Sequence, residues 1–301
     1  MLNSKPSYST GTVMSKDGTT IGFRRLGRGP GLIILHGGAL ASQHYMKLAA
    51  TLANQFTVYL PDRRGRGMSG PYGPNYQIAR EDEDLAAVVT ATNAHYVFGV
   101  ADGGLFALHG AVTIPAIRKV AVFEPVIFVG QPGLDEFKAV ISRGQRLVTS
   151  GDIGAAMASL AADATRSDPR TQAVSAPYRL LQRIMISPIV CRGWLWADAR
   201  LAKGDNAALR DLIVAWKQEL DVVIASEGTI DDYKNVTAEV LLLCGSGAPP
   251  LFTGTLDALQ KVLPHVTRTE LPGLNHGGPQ DQGGNPVVIA AQLRRFFSAD
   301  A

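Results

Sequence analysis

Cysteine is almost missing from this chain of 301 residues: there are two, Cys191 and Cys244. Two cysteines cannot form a disulfide framework. Cys244 closes the apolar run Val240-Leu241-Leu242-Leu243 and reads as a buried strand thiol. Long hydrophobic runs are missing too. None approaches 18 uninterrupted apolar residues, so nothing is expected to span a membrane. Met1 to Thr10 lacks the apolar stretch of a signal peptide. Neither sign of charge dominates: 29 Lys and Arg face 26 Asp and Glu, for a net charge of +3. The densest basic stretch, Arg63-Arg64-Gly65-Arg66, is too short to track a nucleic-acid backbone. No His, Cys, Asp or Glu cluster has metal-ligand spacing. The expectation is a cytoplasmic protein with no metal, no cofactor, no nucleic-acid partner and no membrane partner.

What is present suits an α/β domain. Hydrophobic residues make up 46% of the chain, and glycine, at 32, supplies many tight turns. Asp17-Gly18 divides residues 11–16 from 19–26 as a hairpin. Leu32 to Leu35 is a buried strand ending at His36-Gly37-Gly38. A helix follows from about Ser42, its expected N-cap, with Tyr45, Leu48, Ala49 and Leu52 on one face. Thr57 to Leu60 is a strand closed by Pro61-Asp62. Asn75 is expected to cap a helix carrying Ile78, Leu85, Val88 and Val89, with Arg80 to Asp84 in its charged first turns. Strand 95–100, the turn Ala101-Asp102-Gly103-Gly104, an apolar helix and strand 119–123 follow, ending at Glu124-Pro125. Strands alternating with helices at this spacing predict a mostly parallel sheet flanked by helices.

From Val126 to Asn235 the rhythm is helical only. It resumes with strand 239–244, a helix near 255–262, strand 266–271 and a last helix at 287–297. Residues 1–125 and 236–301 are therefore expected to form the core domain, and 126–235 a helical cap inserted over its active site.

Four landmarks then stand in order: His36-Gly37-Gly38 after a strand, Asp62 to Gly70 after the next, Gly99-Val100-Ala101-Asp102-Gly103 at a strand-to-helix turn, and Asn275-His276-Gly277 after the last strand. In these the chain resembles the α/β-hydrolase fold superfamily over nearly its whole length. The resemblance implies a nucleophile elbow, normally G-x-S-x-G, at residues 99–103. Its centre is Ala101, whose methyl group cannot attack a carbonyl. The frame cannot slip to Asp102, because Val100 would then fill a small-residue position. The resemblance further implies His276 as general base and an oxyanion hole built from the N–H groups of Gly38 and Asp102.

The acid has two candidate places. The loop after Cys244, Gly245-Ser246-Gly247-Ala248-Pro249-Pro250, holds no carboxylate, and the next acid, Asp257, lies within a helix. Glu124, at the end of the preceding sheet strand, is the better placed. Two strings mislead. Gly65-x-Gly67-x-x-Gly70 spells a dinucleotide fingerprint, but Pro71 and Pro74 intervene before any helix starts. Asp62 follows a strand on the wrong side of the elbow and is expected to hold its own turn. In the cap, Trp194 and Trp196 are expected to wall the substrate pocket.

The function expected is hydrolysis of a carboxylic ester or lactone of an apolar small molecule by a Ser/His/Glu mechanism. The nucleophile is replaced by Ala101, as in a deliberately inactivated enzyme. The alternatives are a natural ligand-binding protein on a hydrolase fold, or a lyase or isomerase using His276 as base. A homodimer is the one macromolecular assembly kept open.

Overall fold

The computed structural model describes residues 7–167 and 175–298. Strands β1 (Ser9–Met14) and β2 (Thr20–Gly27) form the expected hairpin. Gly18 takes φ +86° in its turn, and Asp17 accepts the Thr19 N–H at 3.0 Å. The remaining expected strands become β3 (Gly31–Leu35), β4 (Thr57–Pro61), β5 (Tyr96–Val100), β6 (Lys119–Phe123), β7 (Glu239–Gly245) and β8 (Val266–Leu271). The sheet order is β1-β2-β4-β3-β5-β6-β7-β8. From β4 to β8 along this order every pair is parallel, while β2 joins β4 antiparallel. Strands β4 and β6 are buried along their whole length, as continuous apolar runs in a parallel sheet should be.

Helices α1 (Met46–Leu52), α2 (Ile78–Thr92) and α3 (Asp102–Thr113) cross between the early strands. Several helix starts differ from the sequence reading. Ser42 opens a short 3-10 turn (Ser42–Tyr45) and α1 begins only at Met46. The Ser42 hydroxyl and amide both donate to the buried carboxylate of Asp62, at 2.6 and 2.9 Å, so they are not free to cap. Asn75 adopts φ +58° in the preceding loop, and Gln77 is the N-cap residue of α2. The acidic first turns of α2 face inward. Glu81 pairs with Arg63 at 2.9 Å and Asp84 with Arg64 at 2.6 Å, all four buried. The basic turn after β4 is thus a buried ion-paired corner.

The insertion begins after β6 with α4 (Leu134–Thr149) and α5 (Ile153–Ser167). It continues through α6 (Ala176–Met185), α7 (Pro188–Leu201), α8 (Leu209–Ala225) and a 3-10 turn (Ile230–Asn235). Among the described residues of 126–235 there is no strand. It has a small core of its own, Ile153, Ala156, Leu195 and Ile213. Polar contacts seat it on the sheet domain. Gln43 and Ala207 exchange two hydrogen bonds of 3.0 and 2.7 Å, and Arg24 donates to the Asp205 carbonyl at 2.5 Å. Most decisively, Glu219 on α8 is fully buried and pairs with both Arg63 and Arg66. After β7, α9 (Pro250–Val262) starts five residues earlier than read, because Pro250 is well suited to a first helical turn. Helix α10 (Pro286–Phe297) ends the described fold and packs on α1.

Candidate active site

A single residue, Ala101, separates β5 from α3, and the chain must reverse there. Ala101 therefore sits at φ +51°, ψ −118°, a conformation that costs an L-residue on the order of 1–3 kcal/mol. Its neighbours leave no room for side chains. A Cβ on Gly99 would fall 2.7 Å from the Gly104 Cα, and one on Gly103 would fall 2.5 Å from the carbonyl oxygens of Leu35 and His36. The turn is pinned from both sides: Ala101 N–H donates to the Phe123 carbonyl at 3.0 Å, and its own carbonyl accepts from Val126 N–H at 3.2 Å.

Strand β6 delivers Glu124 beside this elbow, itself at φ +45° and fully buried. One carboxylate oxygen accepts the Gly245 N–H at 2.9 Å, from the end of β7. The other lies 2.7 Å from Nδ1 of His276. The imidazole stacks on Phe252 of α9, ring centres 4.3 Å apart and planes within 10°. A ring fixed by a carboxylate at Nδ1 and an aromatic face has one freedom left, proton exchange at Nε2. The competing acid is elsewhere: Asp257 is exposed and pairs with Arg268 at 2.5 Å. The structure thus brings Glu124 and His276 together and leaves Asp257 out.

Asp102 opens α3, so its N–H is one of the unpaired donors at a helix N-terminus. Gly38 lies against it. A Cβ on Gly38 would collide with the Asp102 carboxyl and with the indole nitrogen of Trp216, so only glycine fits. His36 is structural. It accepts the Arg63 N–H on Nε2 at 3.0 Å, and Nδ1 donates to the Gly37 carbonyl at 2.9 Å. Burial first, then Arg66 and Arg63, push its pKa well below the usual value, so it stays neutral. Asp62, as expected, holds its turn, accepting from Ser42 and from Met68 N–H at 3.1 Å.

The side chain of Asp102 is the feature that spacing did not reveal. It is buried at the elbow and accepts a hydrogen bond from Trp216 Nε1 at 2.9 Å. Burial, and then the nearby Glu219 carboxylate, raise its pKa to about 7 against the opposing pull of Arg63, Trp216 and Arg66.

The insertion tryptophans need correction. Trp194 and Trp196 are more than half exposed on α7. That helix turns Cys191 and Leu195 inward, and residues one step either side of Leu195 are rotated about 100° away from it. Trp196 instead lies under the Arg200 guanidinium, 3.5 Å from the ring centre. The tryptophan that reaches the elbow is Trp216, on α8. Glycines 65, 67 and 70 close a turn on themselves, Gly65 N–H donating to the Gly70 carbonyl at 2.7 Å, with no helix before Ile78. Two surface clefts, of about 720 and 460 Å³, lie between β1 and α2 and between residues 65–68 and 199–212. Neither is lined by residues 38, 101, 102, 124 or 276.

The model of the alpha/beta hydrolase family matches residues 32–292, and the chain belongs to that family. The pimeloyl-acyl-carrier-protein methyl ester esterase of Stenotrophomonas maltophilia (strain K279a) is 38% identical over 103 residues, covering 32% of this chain and 36% of that protein. The chain thus spans about a third of the length of the curated relatives it matches. An alpha/beta hydrolase from Sphaerobacter thermophilus DSM 20745 superposes with a TM-score of 0.69 at 26% identity, over 95% of this chain and all of that one. The esterase RhEst1 from Rhodococcus sp. ECU1013 shares the fold, with a TM-score of 0.65 at 19% identity over 97% and 100% of the two chains. Among the described residues no helix is long and apolar enough to cross a membrane.

Proposed function

We propose that this chain is a carboxylic ester hydrolase of the serine type whose nucleophile position is occupied by Ala101, and that the 126–235 insertion is its cap. The observation that carries this reading is the elbow itself. Ala101 is held in a strained conformation between glycines that admit no side chain, beside a buried carboxylate paired with a part-exposed imidazole. An alanine gains nothing from that strain, whereas a hydroxyl there would be presented for attack. The intact surroundings favour a deliberate inactivating substitution. The pimeloyl-acyl-carrier-protein methyl ester esterase likeness supports an ester as substrate class, and we read the substrate as a small apolar ester or lactone. Two buried free thiols, Cys191 and Cys244, suit a reducing, cytoplasmic setting.

In the Ala101→Ser protein the hydroxyl oxygen would bond the carbonyl carbon while its proton passes to Nε2 of His276. Glu124 would hold the resulting imidazolium through Nδ1–H. The carbonyl oxygen, now anionic, would accept the N–H groups of Gly38 and Asp102. Collapse breaks the C–O bond, and the alcohol leaves with the proton from His276. Water then repeats the sequence and frees the acid. The test is hydrolysis of p-nitrophenyl acetate by the chain as it stands and by Ala101→Ser. We expect a gain of about 10⁶ in kcat. Equal rates would exclude the covalent mechanism. Ligand binding with no rate in either form would favour a binding protein.

A further inference from the structure

Helix α6 (Ala176–Met185) has no fully buried residue among those described. It is nevertheless strongly two-sided. Tyr178, Leu181, Ile184 and Met185 follow one another at helical spacing with Leu180 beside Ile184, and Arg179, Gln182 and Arg183 occupy the opposite face. All five of those apolar side chains are between 44% and 61% exposed. Ten residues are too few for a helix to be stable in water on its own, and packing of an apolar face normally supplies the difference. Here no described residue buries that face. On α7, Ile189 and Trp196 are also exposed and, seven positions apart, share one side of that helix. A patch of this kind marks an interaction surface.

Charge selects the occupant. Between Ser175 and Lys203 there are five basic residues, Arg179, Arg183, Arg192, Arg200 and Lys203, and one acidic residue, Asp198, whose carboxylate accepts the Leu209 N–H at 2.5 Å. Arg192 is partly neutralised by Asp152 at 2.8 Å. A second copy of this chain meeting the same patch about a two-fold axis would set arginines against arginines. A surface of apolar depth and negative face charge meets both halves of α6 at once. The helix is about 15 Å long, half the thickness of a bilayer core, so it lies along such a surface and does not cross it.

We propose that α6 and the side of α7 that carries Ile189 and Trp196 form an in-plane docking surface for an anionic lipid bilayer, with Leu181 and Ile184 entering the acyl boundary and Arg183 at headgroup level. The expectation of no membrane partner rested on the lack of a spanning run. That lack stands, and it does not bear on a helix lying in the interface. This inference is independent of the hydrolytic reading and would hold for a binding protein on the same fold.

The experiment is co-sedimentation of the full chain with vesicles of phosphatidylcholine alone and of equal phosphatidylcholine and phosphatidylglycerol, at low and high salt, with tryptophan emission read in parallel. Binding to the anionic vesicles that weakens with salt, with a blue shift in emission, is expected. The double variant Leu181→Ser/Ile184→Ser should lose binding by about tenfold or more, and Arg183→Gln by roughly fivefold. All these positions are exposed, and circular dichroism of each variant confirms the fold. Absence of vesicle binding, equal binding to both compositions, or binding unchanged in Leu181→Ser/Ile184→Ser would overturn the proposal. So would a dimer in solution that the same double variant dissolves, without vesicle binding, since the face would then belong to a second copy.

Discussion

Trp216 of the helical insertion donates its indole N–H to the carboxyl of Asp102, the residue after the elbow, across 2.9 Å. This single contact joins the insertion to the N-terminus of α3, where one of the two proposed oxyanion donors lies. It also places a titratable group beside a site that would have to hold negative charge. Around it stand Arg63 and Arg66 from the turn after β4 and Glu219 from α8, already engaged with one another. Asp102 is the acid left without a cationic partner of its own, which is why burial dominates its titration.

Stability should therefore fall as pH rises through the range of Asp102. Its folded-state pKa, about 7, lies above the ordinary 3.8, so the folded chain keeps this proton longer than the unfolded one. The contribution is intact below about pH 4 and is lost progressively up to about pH 7. The span corresponds to an upper figure of about 4 kcal/mol. Asp102→Asn keeps an acceptor for Trp216 and cannot ionise. Denaturant unfolding should show it more stable than the parent at pH 8, with the gain vanishing near pH 4. A gain that does not change with pH would mean that Asp102 is not held neutral.

Glu219 should prove the main tie between insertion and sheet domain. Its carboxylate is buried and serves Arg63 and Arg66 together. Removing one member of a buried ion cluster strands the others, at a cost of about 3–5 kcal/mol. Glu219→Gln keeps the shape and loses the charge, so the loss should appear in full by denaturant unfolding. A change under about 1 kcal/mol would show that the apolar contacts of the insertion suffice.

The parallel sheet, the order of its landmarks and the helical insertion were legible because period and turn chemistry are local. The apolar runs at 32–35, 97–100 and 240–243 are short and read as buried strands, and the glycines at 99 and 103 fix the elbow. Glu124 and His276, 152 positions apart, were reachable only through the family resemblance and the absence of a carboxylate after Cys244. What stayed hidden depends on tertiary contact. Nothing in the spacing of Trp194, Trp196 and Trp216 says which one faces the elbow, and the exposed pair read as the pocket wall. Likewise Arg63, Arg66, Glu81 and Glu219 look like ordinary surface charges until one turn and two helices bring them together. The start of α1 departs from the capping pattern because a buried acceptor, Asp62, takes both the hydroxyl and the amide of Ser42.

In the Ala101→Ser background, Glu124→Gln should lower kcat by about 10⁴ while leaving the fold intact, since an amide in that place cannot support the imidazolium. It would still be able to accept the Gly245 N–H that Glu124 accepts at 2.9 Å. Asp257→Asn, at an exposed pair with Arg268, should change the rate little. The opposite order of effects would move the acid to α9 and make Glu124 a structural clamp between β6 and β7.

The chain as it stands should bind an ester without consuming it. Ala101 removes the attacking oxygen but leaves the backbone donors of Gly38 and Asp102, the His276–Glu124 pair and the insertion in place. Replacing a hydroxyl by hydrogen at the elbow also frees a little space beside a bound carbonyl. An apolar aryl ester or lactone should therefore lodge between the elbow and α8, its carbonyl oxygen toward those two N–H groups. Trp216, not Trp194 or Trp196, should supply the aromatic wall, because it alone of the three reaches Asp102. Apolar burial contributes at roughly 25 cal/mol per Å², less the cost of immobilising the ligand. Titration followed by a ligand-bound crystal structure decides the matter. Trp216→Ala should weaken binding and Trp194→Ala should not. A ligand seated away from residue 101, with its carbonyl turned from both donors, would refute this picture of the site.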